Sequence, residues 1–567
     1  IMSYVNVGRM PDIKLPRSIY KMPKNHKTSY LHGDLVPIHA FYVGPGDTFD
    51  LKLSNIIRMS TPIVPFMDTI RHNIRAFFVP FRLIWPGFEE YIGANKGANY
   101  QQNFPLLPAC INTKPTYSNI QALARKLSYA LGKPVFNFPG TGNIPVSVLK
   151  ERAYYLIWNK NFRAEQLQAE YAIDTANGSI SSNNRIANVL IADNGTPATV
   201  WGHDLLKVNK MHDYFVDATL GPQYGPSVTL PLGNYAPLKI DTSMHALGGN
   251  LQFGNGSGLS SGYRPLGLNA ASSGATGSNL VFNQSTTTGS SFYNVSTTNL
   301  VADLTNATAA TVNSLRYAFA VQRFSERANY GGNNYYEILA VHFGVTNPQA
   351  RMQLPEYLGG LSYNINVNQV TSQSGYQSGV TTVLGEVGAV SVTARVKDHI
   401  FRKGFTEFGL VMVLAYTKHK RTYSQGFLKE DLKCENMYDF MWPEFMNIGD
   451  QPVKNAEIYA NATNPNGTFG FQESWAEYKF FVDTVNGLLN PAIGSGNLGQ
   501  WSLAENYLSE PNLSSSWIQE DRDALTRVLK TGANGPDFIA DYYFDYTASR
   551  IISLHKMPGL IDHVGLL

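Results

Sequence analysis

Charge is what this chain has least of. Only 15% of its 567 residues are Asp, Glu, Lys or Arg, against about 25% in an average globular protein. Lys and Arg total 45 and Asp and Glu 42, giving +3, so no strong global field draws in nucleic acid or an anionic membrane. Any basic surface must be local. Cysteine is almost absent: Cys110 and Cys434 lie far apart and fit no CxxC spacing, which argues against a disulfide framework and a zinc site and suits buried thiols of a reducing compartment. Long hydrophobic runs are missing too. The longest, residues 409–416 (GLVMVLAY), is far below the roughly 20 residues that span a bilayer. The first 27 residues carry Pro11, Pro16 and Pro23 among many Lys and Arg, unlike a signal peptide. The expectation is a soluble protein made in a cytoplasm, with no membrane insertion.

What is present compensates. Hydrophobic residues make up 43% and aromatics 12%, which excludes intrinsic disorder. With a mean hydropathy of −0.18, the polar positions are filled by Asn, Ser, Thr, Gln and Gly, a composition suited to turns and wet subunit contacts. Charge is also unevenly placed. Arg9, Lys14, Arg17, Lys21, Lys24 and Lys27 face only Asp12, and the prolines hold this stretch extended. Two readings stand: a solvated tail, or a basic arm lying against polyphosphate and displacing its counterions. Residues 241–312 are the opposite case, with Asp241, Arg264 and Asp303 as their only charges and ten glycines. So long a structureless loop is suspect within a compact domain. It is a flexible linker or an elaborated insertion whose Leu251, Phe253, Leu280, Val281, Phe282, Phe292, Tyr293 and Val295 form short strands.

Periodicity predicts β structure elsewhere. After the turn Pro45-Gly46-Asp47, Phe49, Leu51 and Leu53 alternate with Asp50, Lys52 and Ser54, a half-buried strand. Residues 74–79, 338–345, 363–370, 390–396, 408–416 and 540–552 read as further strands. Helices are expected where Ile120, Leu123, Leu127 and Leu131 recur behind Ser118 or Asn119 and before Gly132, over 147–171, and over 313–328. Many strands with long, variable connections indicate an antiparallel sandwich or jelly roll, and the lack of βαβ alternation disfavours a Rossmann or TIM fold.

Catalytic constellations are scarce. The chain has no GxxxxGK[ST], HExxH, GxSxG or EF-hand motif, and Gly254, Gly256 and Gly258 sit in polar sequence with no preceding parallel strand. His26, His32 and His39 share one region and His212 adjoins Asp213, as ligands, as a base with its orienter, or as satisfied polar groups. Glu89-Glu90 would need a facing carboxylate across a cleft. No enzyme, cofactor or metal is expected.

Several segments are distinctive together. They are Leu35-Val36-Pro37 with Pro45-Gly46-Asp47-Thr48-Phe49, the stretch from Thr61-Pro62-Ile63 to Asp68, and Phe77-Phe78-Val79-Pro80-Phe81-Arg82-Leu83-Ile84-Trp85. Arg152-Ala153-Tyr154, Leu156-Ile157-Trp158-Asn159, His212-Asp213-Tyr214-Phe215 and the run from Gly225 to Gly233 follow. Later come Pro355-Glu356-Tyr357-Leu358-Gly359-Gly360, Trp442-Pro443, Phe469-Gly470-Phe471-Gln472-Glu473, Trp475-Ala476-Glu477-Tyr478 and Pro558-Gly559-Leu560-Ile561-Asp562-His563. In this order the chain resembles the major capsid proteins of the gokushoviruses, small single-stranded DNA phages of the Microviridae.

The resemblance implies a mainly β, eight-stranded antiparallel jelly roll of the viral capsid type, with long loop insertions containing some helices. Its parts would be a basic N-terminal arm (1–30), a first core part (31–233), a Gly/Ser/Asn-rich surface protrusion (234–312) and the remaining core (313–567). It implies sixty copies in a T=1 icosahedral shell around circular single-stranded DNA, in a virion made in a host bacterial cytoplasm. The partners implied are a small basic DNA-binding packaging protein, a minor pilot protein and a host surface receptor. Arg9, Lys14, Arg17, Lys21, Lys24 and Lys27 become candidates for DNA contact, with stacking on Tyr20 or Tyr30. Phe253, Tyr263, Arg264, Phe282, Phe292 and Tyr293 become candidates for host attachment. The chain departs from the family at Gly331-Gly332-Asn333-Asn334-Tyr335 and at Leu354, where a positive charge is usual. The alternative is a carbohydrate-binding or carbohydrate-cleaving β-sandwich, suggested by abundant Tyr, Trp and Asn.

Overall fold

Strands dominate the computed structural model, which describes residues 17–92, 124–133, 145–177, 204–228, 312–331, 335–344, 353–365, 367–371, 387–433, 436–445, 448–530 and 535–552, with a few short segments between them. The chain divides into two compact units, residues 1–224 with 326–567, and residues 225–325. In the larger unit the strands of the two main sheets are β1 (Ser18–Lys21), β2 (Lys24–Tyr30), β3 (Val36–Val43), β4 (Thr48–Met59), β5 (Ile70–Pro80), β6 (Glu356–Ile365), β7 (Val367–Thr371), β8 (Val387–Gly404), β9 (Gly409–His419) and β10 (Phe538–Arg550). One sheet has the order β1-β10-β4-β8-β7, with β2 also on β10, and the other β6-β5-β9-β3. Every pairing in both sheets is antiparallel.

The two sheets face each other across an aromatic core. Phe49, Leu51, Leu53 and Ile57 of β4 and Phe538, Tyr542, Phe544 and Ala548 of β10 are fully buried, one inward row per strand as the period of two requires. Phe41 of β3 lies 5.0 Å from Phe49 and 5.1 Å from Tyr546, and Phe78 of β5 lies 4.8 Å from Phe405. His72 of β5 reaches across to the hydroxyls of Tyr30 and Tyr542, each at 3.3 Å.

The outer faces differ. β9 reads as one apolar run and is buried on both sides because α1 (Leu149–Asn161) and the chain after it cover that sheet, with Phe162 5.5 Å from Tyr416 and 6.1 Å from Phe77. β10 alternates buried and exposed along most of its length. Its sheet keeps one face open, and its sequence alternates accordingly.

At the seam between sheets, Gly359 (φ +152) marks a bulge in β6 opposite β5. A Cβ there would lie 2.2 Å from the Ile400 carbonyl oxygen, and one on Gly360 2.3 Å from that of Ile74. Only glycines allow backbones so close.

Several expectations change. The strand expected over 338–345 gives way to a helix: Tyr335–Phe343 is helical (α3), following α2 (Val312–Gly331). A short apolar run cannot separate helix from strand by periodicity, and Glu337, Leu339 and Ala340 favour helix. The helix expected over 147–171 stops at Asn161 because side chains capture the next backbone groups. Asn159 bonds both the amide and carbonyl of Tyr171, and Gln168 accepts from the Ala164 amide, competition typical of such residues. Of the helix expected near 120–131, Leu127–Ala130 is present and closed by Gly132 at φ +81, while Ser118, Asn119, Ile120 and Leu123 lie outside the described residues. Residues 18–30 are not a loose tail, since β1 and β2 run along β10 with Tyr20 opposite Ala548 and Tyr30 opposite Phe538.

The smaller unit, by itself, contains the ladder of Leu238–Ile240 with Leu300–Ala302 and that of Gly267–Leu268 with Leu280–Val281.

Burial pushes the His72 imidazole down to about 3, so the fold holds it neutral. The unfolded chain protonates below about pH 6.5. The stabilisation is therefore complete above pH 6.5 and lost progressively as pH falls toward 3. Thermal melts of purified subunit should show this acid limb, and His72→Gln should flatten it; an unchanged limb would exclude His72 as its source.

Candidate nucleic-acid and subunit-contact surfaces

The open sheet face is built by strand alternation. Outward positions on β1 and β2 include Lys21 and Lys27, and the same face carries Lys52 and Arg58 of β4, Lys397 and Arg402 of β8, and Tyr543 of β10, all exposed. Register places Lys27 opposite Asp541, Asp545 opposite Lys52, and Asp50 opposite Arg402. The Lys27–Asp541 pair is 3.9 Å apart and well exposed, a geometry that contributes little stability and leaves the ammonium free to meet another anion. His399 Nε2 lies 2.9 Å from Asp50 Oδ1. Cations thus stand on four strands around an exposed tyrosine ring, an arrangement able to hold a phosphate backbone and stack a base.

The arm residues fare differently. Arg17 is exposed beside the turn at Gly46, and Lys21 and Lys27 point outward. Lys24 belongs to the inward row, with its ammonium 2.9 Å from His39 Nδ1, and burial together with Lys150 lowers its pKa. Burial and the same two lysines push His39 down to about 3, while Lys24 itself remains exposed. Arg9 and Lys14 lie outside the described residues, as do Phe253, Tyr263, Arg264, Phe282, Phe292 and Tyr293. Lys52, Arg58, Lys397 and Arg402 lie in no charge run; their signal is an outward position on an alternating strand.

A second surface is apolar. Met437, Tyr438, Phe440, Met441, Trp442 and Phe481 are exposed, Phe481 at 88%. The two segments that carry them are joined at Trp475, whose indole N–H donates to the Phe445 carbonyl at 3.0 Å. Trp475 has φ +64, and among the described non-glycine residues it alone has a positive φ, a strained conformation for a bulky side chain. Lys433 lies 4.4 Å from its ring centre. A secondary core of Tyr214, Phe215, Tyr423, Val453, Ile458 and Phe469 supports this region. Asp213 caps a turn there, accepting from the amides of Phe215 and Val216 and from the Tyr423 hydroxyl. His212 pairs with Asp217 at 2.6 Å, so His212 and Asp213 do not act as base and orienter. Exposed aromatics at this density mark an interaction surface.

Comparison with known proteins agrees. The model of a family described as capsid protein (F protein) matches residues 9–560. Capsid protein VP1 of Spiroplasma virus 4 is 31% identical over 555 residues, covering 96% of each chain. Capsid protein VP1 of Bdellovibrio phage phiMH2K is 30% identical over 565 residues, 97% of each chain. Capsid protein VP1 of Chlamydia phage 1 is 30% identical over 596 residues, 98% of this chain and 97% of the relative. An antiparallel β sandwich with one open, charged face and an exposed aromatic surface, matched nearly end to end by these proteins, belongs to the capsid protein (F protein) family and is a structural major capsid protein of microviruses.

Proposed function

We propose that this chain is a jelly-roll subunit, sixty copies of which close a T=1 icosahedral shell around circular single-stranded DNA. The observation that carries the reading is the contrast between the two sheets. One is covered by α1, while the other presents Lys21, Lys27, Lys52, Arg58, Lys397 and Arg402 on an open face. That face, with Arg17 and with Arg9 and Lys14 of the preceding segment, meets DNA phosphates. The aromatic surface around Trp442 and Phe481 meets neighbouring subunits. A net charge of +3 neutralises little DNA per copy, which fits a separate small basic packaging protein alongside a minor pilot protein. The insertion 234–312 projects for host attachment through Phe253, Tyr263, Arg264, Phe282, Phe292 and Tyr293, and the subunit is made in the bacterial cytoplasm.

Electron microscopy and sedimentation of the expressed protein should show closed shells of one size; monomers under every condition would overturn the assembly reading. Changing Lys21, Lys27, Lys52 and Arg58 to Gln should lower the salt slope of single-stranded DNA binding by about 3, at about 0.7 per phosphate contact. An unchanged slope would place the DNA elsewhere. Deleting residues 241–312 should spare shell formation and abolish host attachment, whereas insoluble subunit would make the insertion part of the core.

A further inference from the structure

The most concentrated buried polar chemistry lies away from both surfaces, where the β2–β3 turn, the end of β9 and the segment before β10 meet. His32 Nε2 is 2.8 Å from Glu520 Oε1, His419 Nδ1 is 2.7 Å from the same oxygen, and the two nitrogens are 3.0 Å apart. All three side chains are buried, His32 and Glu520 completely. We propose that His32, His419 and Glu520 form a binding site for a divalent first-row transition-metal ion.

The geometry carries the assignment. Donor atoms about 2.1 Å from one metal are about 3.0 Å apart when they subtend right angles, and about 3.4 Å apart when they are tetrahedral. Spacings of 2.7–3.0 Å match three adjacent corners of an octahedron. This is the facial arrangement of two histidines and a carboxylate that suits Fe²⁺, Mn²⁺ or Co²⁺ better than a closed tetrahedral zinc site. Protons fit the arrangement less well. Both imidazoles would have to aim N–H bonds side by side at one oxygen, while Glu520 Oε2 has no hydrogen-bond partner among the described residues.

The surroundings are built for this convergence. His32 Nδ1 lies 3.0 Å from Thr417 Oγ1, an outer contact that fixes the ring and turns Nε2 inward, as metal-bound imidazoles require. The His32 amide donates to Asp537 at 2.7 Å. Gly33, at φ +79, leaves room for Glu520: a Cβ would stand 2.8 Å from its carbonyl oxygen and 2.9 Å from its Cβ. The charged groups around the cluster are paired. Arg421 lies within 3.5 Å of Glu505, Asp521 and Glu520, Lys210 is 3.8 Å from Asp521, and Arg522 pairs with Asp537. Four carboxylates (Glu505, Glu520, Asp521, Asp537) are balanced by four cations (Lys210, Arg421, Arg522 and Lys418, whose ammonium feels the Glu520 charge), so the donor geometry carries the assignment. Lys418 points to the other face of β9, its ammonium 5.6 Å from the Tyr416 ring centre.

The test is elemental analysis of the intact full-length protein expressed separately with Mn²⁺, Fe²⁺ or Co²⁺ as the supplemented metal. Close to one ion per chain is expected, with Co²⁺ giving the weak visible bands of six-coordinate cobalt. Chelation during a thermal melt should lower Tm by several degrees. Glu520→Gln and His419→Gln should lose the ion. Should neither variant fold, the wild-type stoichiometry, cobalt spectrum and chelator shift decide. Less than a tenth of an ion per chain with every metal, a tetrahedral cobalt spectrum, or an undiminished metal content in soluble Glu520→Gln would each overturn the assignment.

Discussion

The fold depends on a strand from near the end of the sequence lying inside a sheet. β10, residues 538–550, has β1 and β2 along one edge and β4 along the other, so pairings more than 500 residues apart are as much part of the sheet as any hairpin. Its inward row, Phe538, Tyr542, Phe544 and Tyr546, supplies much of the aromatic surface that β3 and β5 pack against. Without β10 the β2 and β4 edges would lose their partner and the core one wall. Such non-local closure is intrinsically slow, because loop entropy must be overcome before the contacts reward it. Once closed, it constrains the intervening chain only at the strands. Loops can then lengthen at small cost, since doubling a loop adds about 0.6 kcal/mol, and a unit such as residues 225–325 can be accommodated between fixed strands.

The same closure makes the two faces of the sandwich unequal. Chain between β5 and β6 supplies α1 and the cover over β5 and β9, and Arg152 ties that cover down by donating to the carbonyls of Ile84 and Ala176. Among the described residues nothing comparable covers Lys52, Arg58 and Tyr543. The result is one sheet with dry sides and one with a wet side, and the charge pattern follows: apolar along β9, alternating along β4 and β10. For a shell protein this separates duties. Stability resides in the covered sheet and the core, while the open sheet can change its outward residues without repacking anything.

Much of this was legible. The alternation at Phe49, Leu51 and Leu53 and the apolar run of β9 each report a local constraint, and local constraints leave periodic traces. The helix Tyr335–Phe343 was misread because nine apolar-rich residues satisfy either period. The arm was half legible: its basicity was plain, but its docking on β10 depends on a partner more than 500 residues away. His32 stands out in the sequence as a possible ligand, but its convergence with His419 and Glu520 is hidden for the same reason, since no spacing rule joins positions 32, 419 and 520. Residues 241–312 were legible only as composition, and their candidate contact residues fall outside the described structure.

Trp475 shows how assembly and folding are kept apart. A buried indole in a left-handed conformation costs about 1–3 kcal/mol and persists only where surroundings fix it. Here the Phe445 carbonyl, the Lys433 ammonium and the helical turn 476–478 do so. What the strain achieves is placement, because it holds the segment from Met437 to Phe445 against the segment ending at Phe481 and leaves their aromatics facing outward. This region rests on the secondary core of Tyr214, Phe215 and Phe469, not on the sandwich. An exposed aromatic surface costs a free subunit solubility and repays it only on contact with a partner. Anchoring it on a separate small core keeps that surface apart from the strand register of the sandwich.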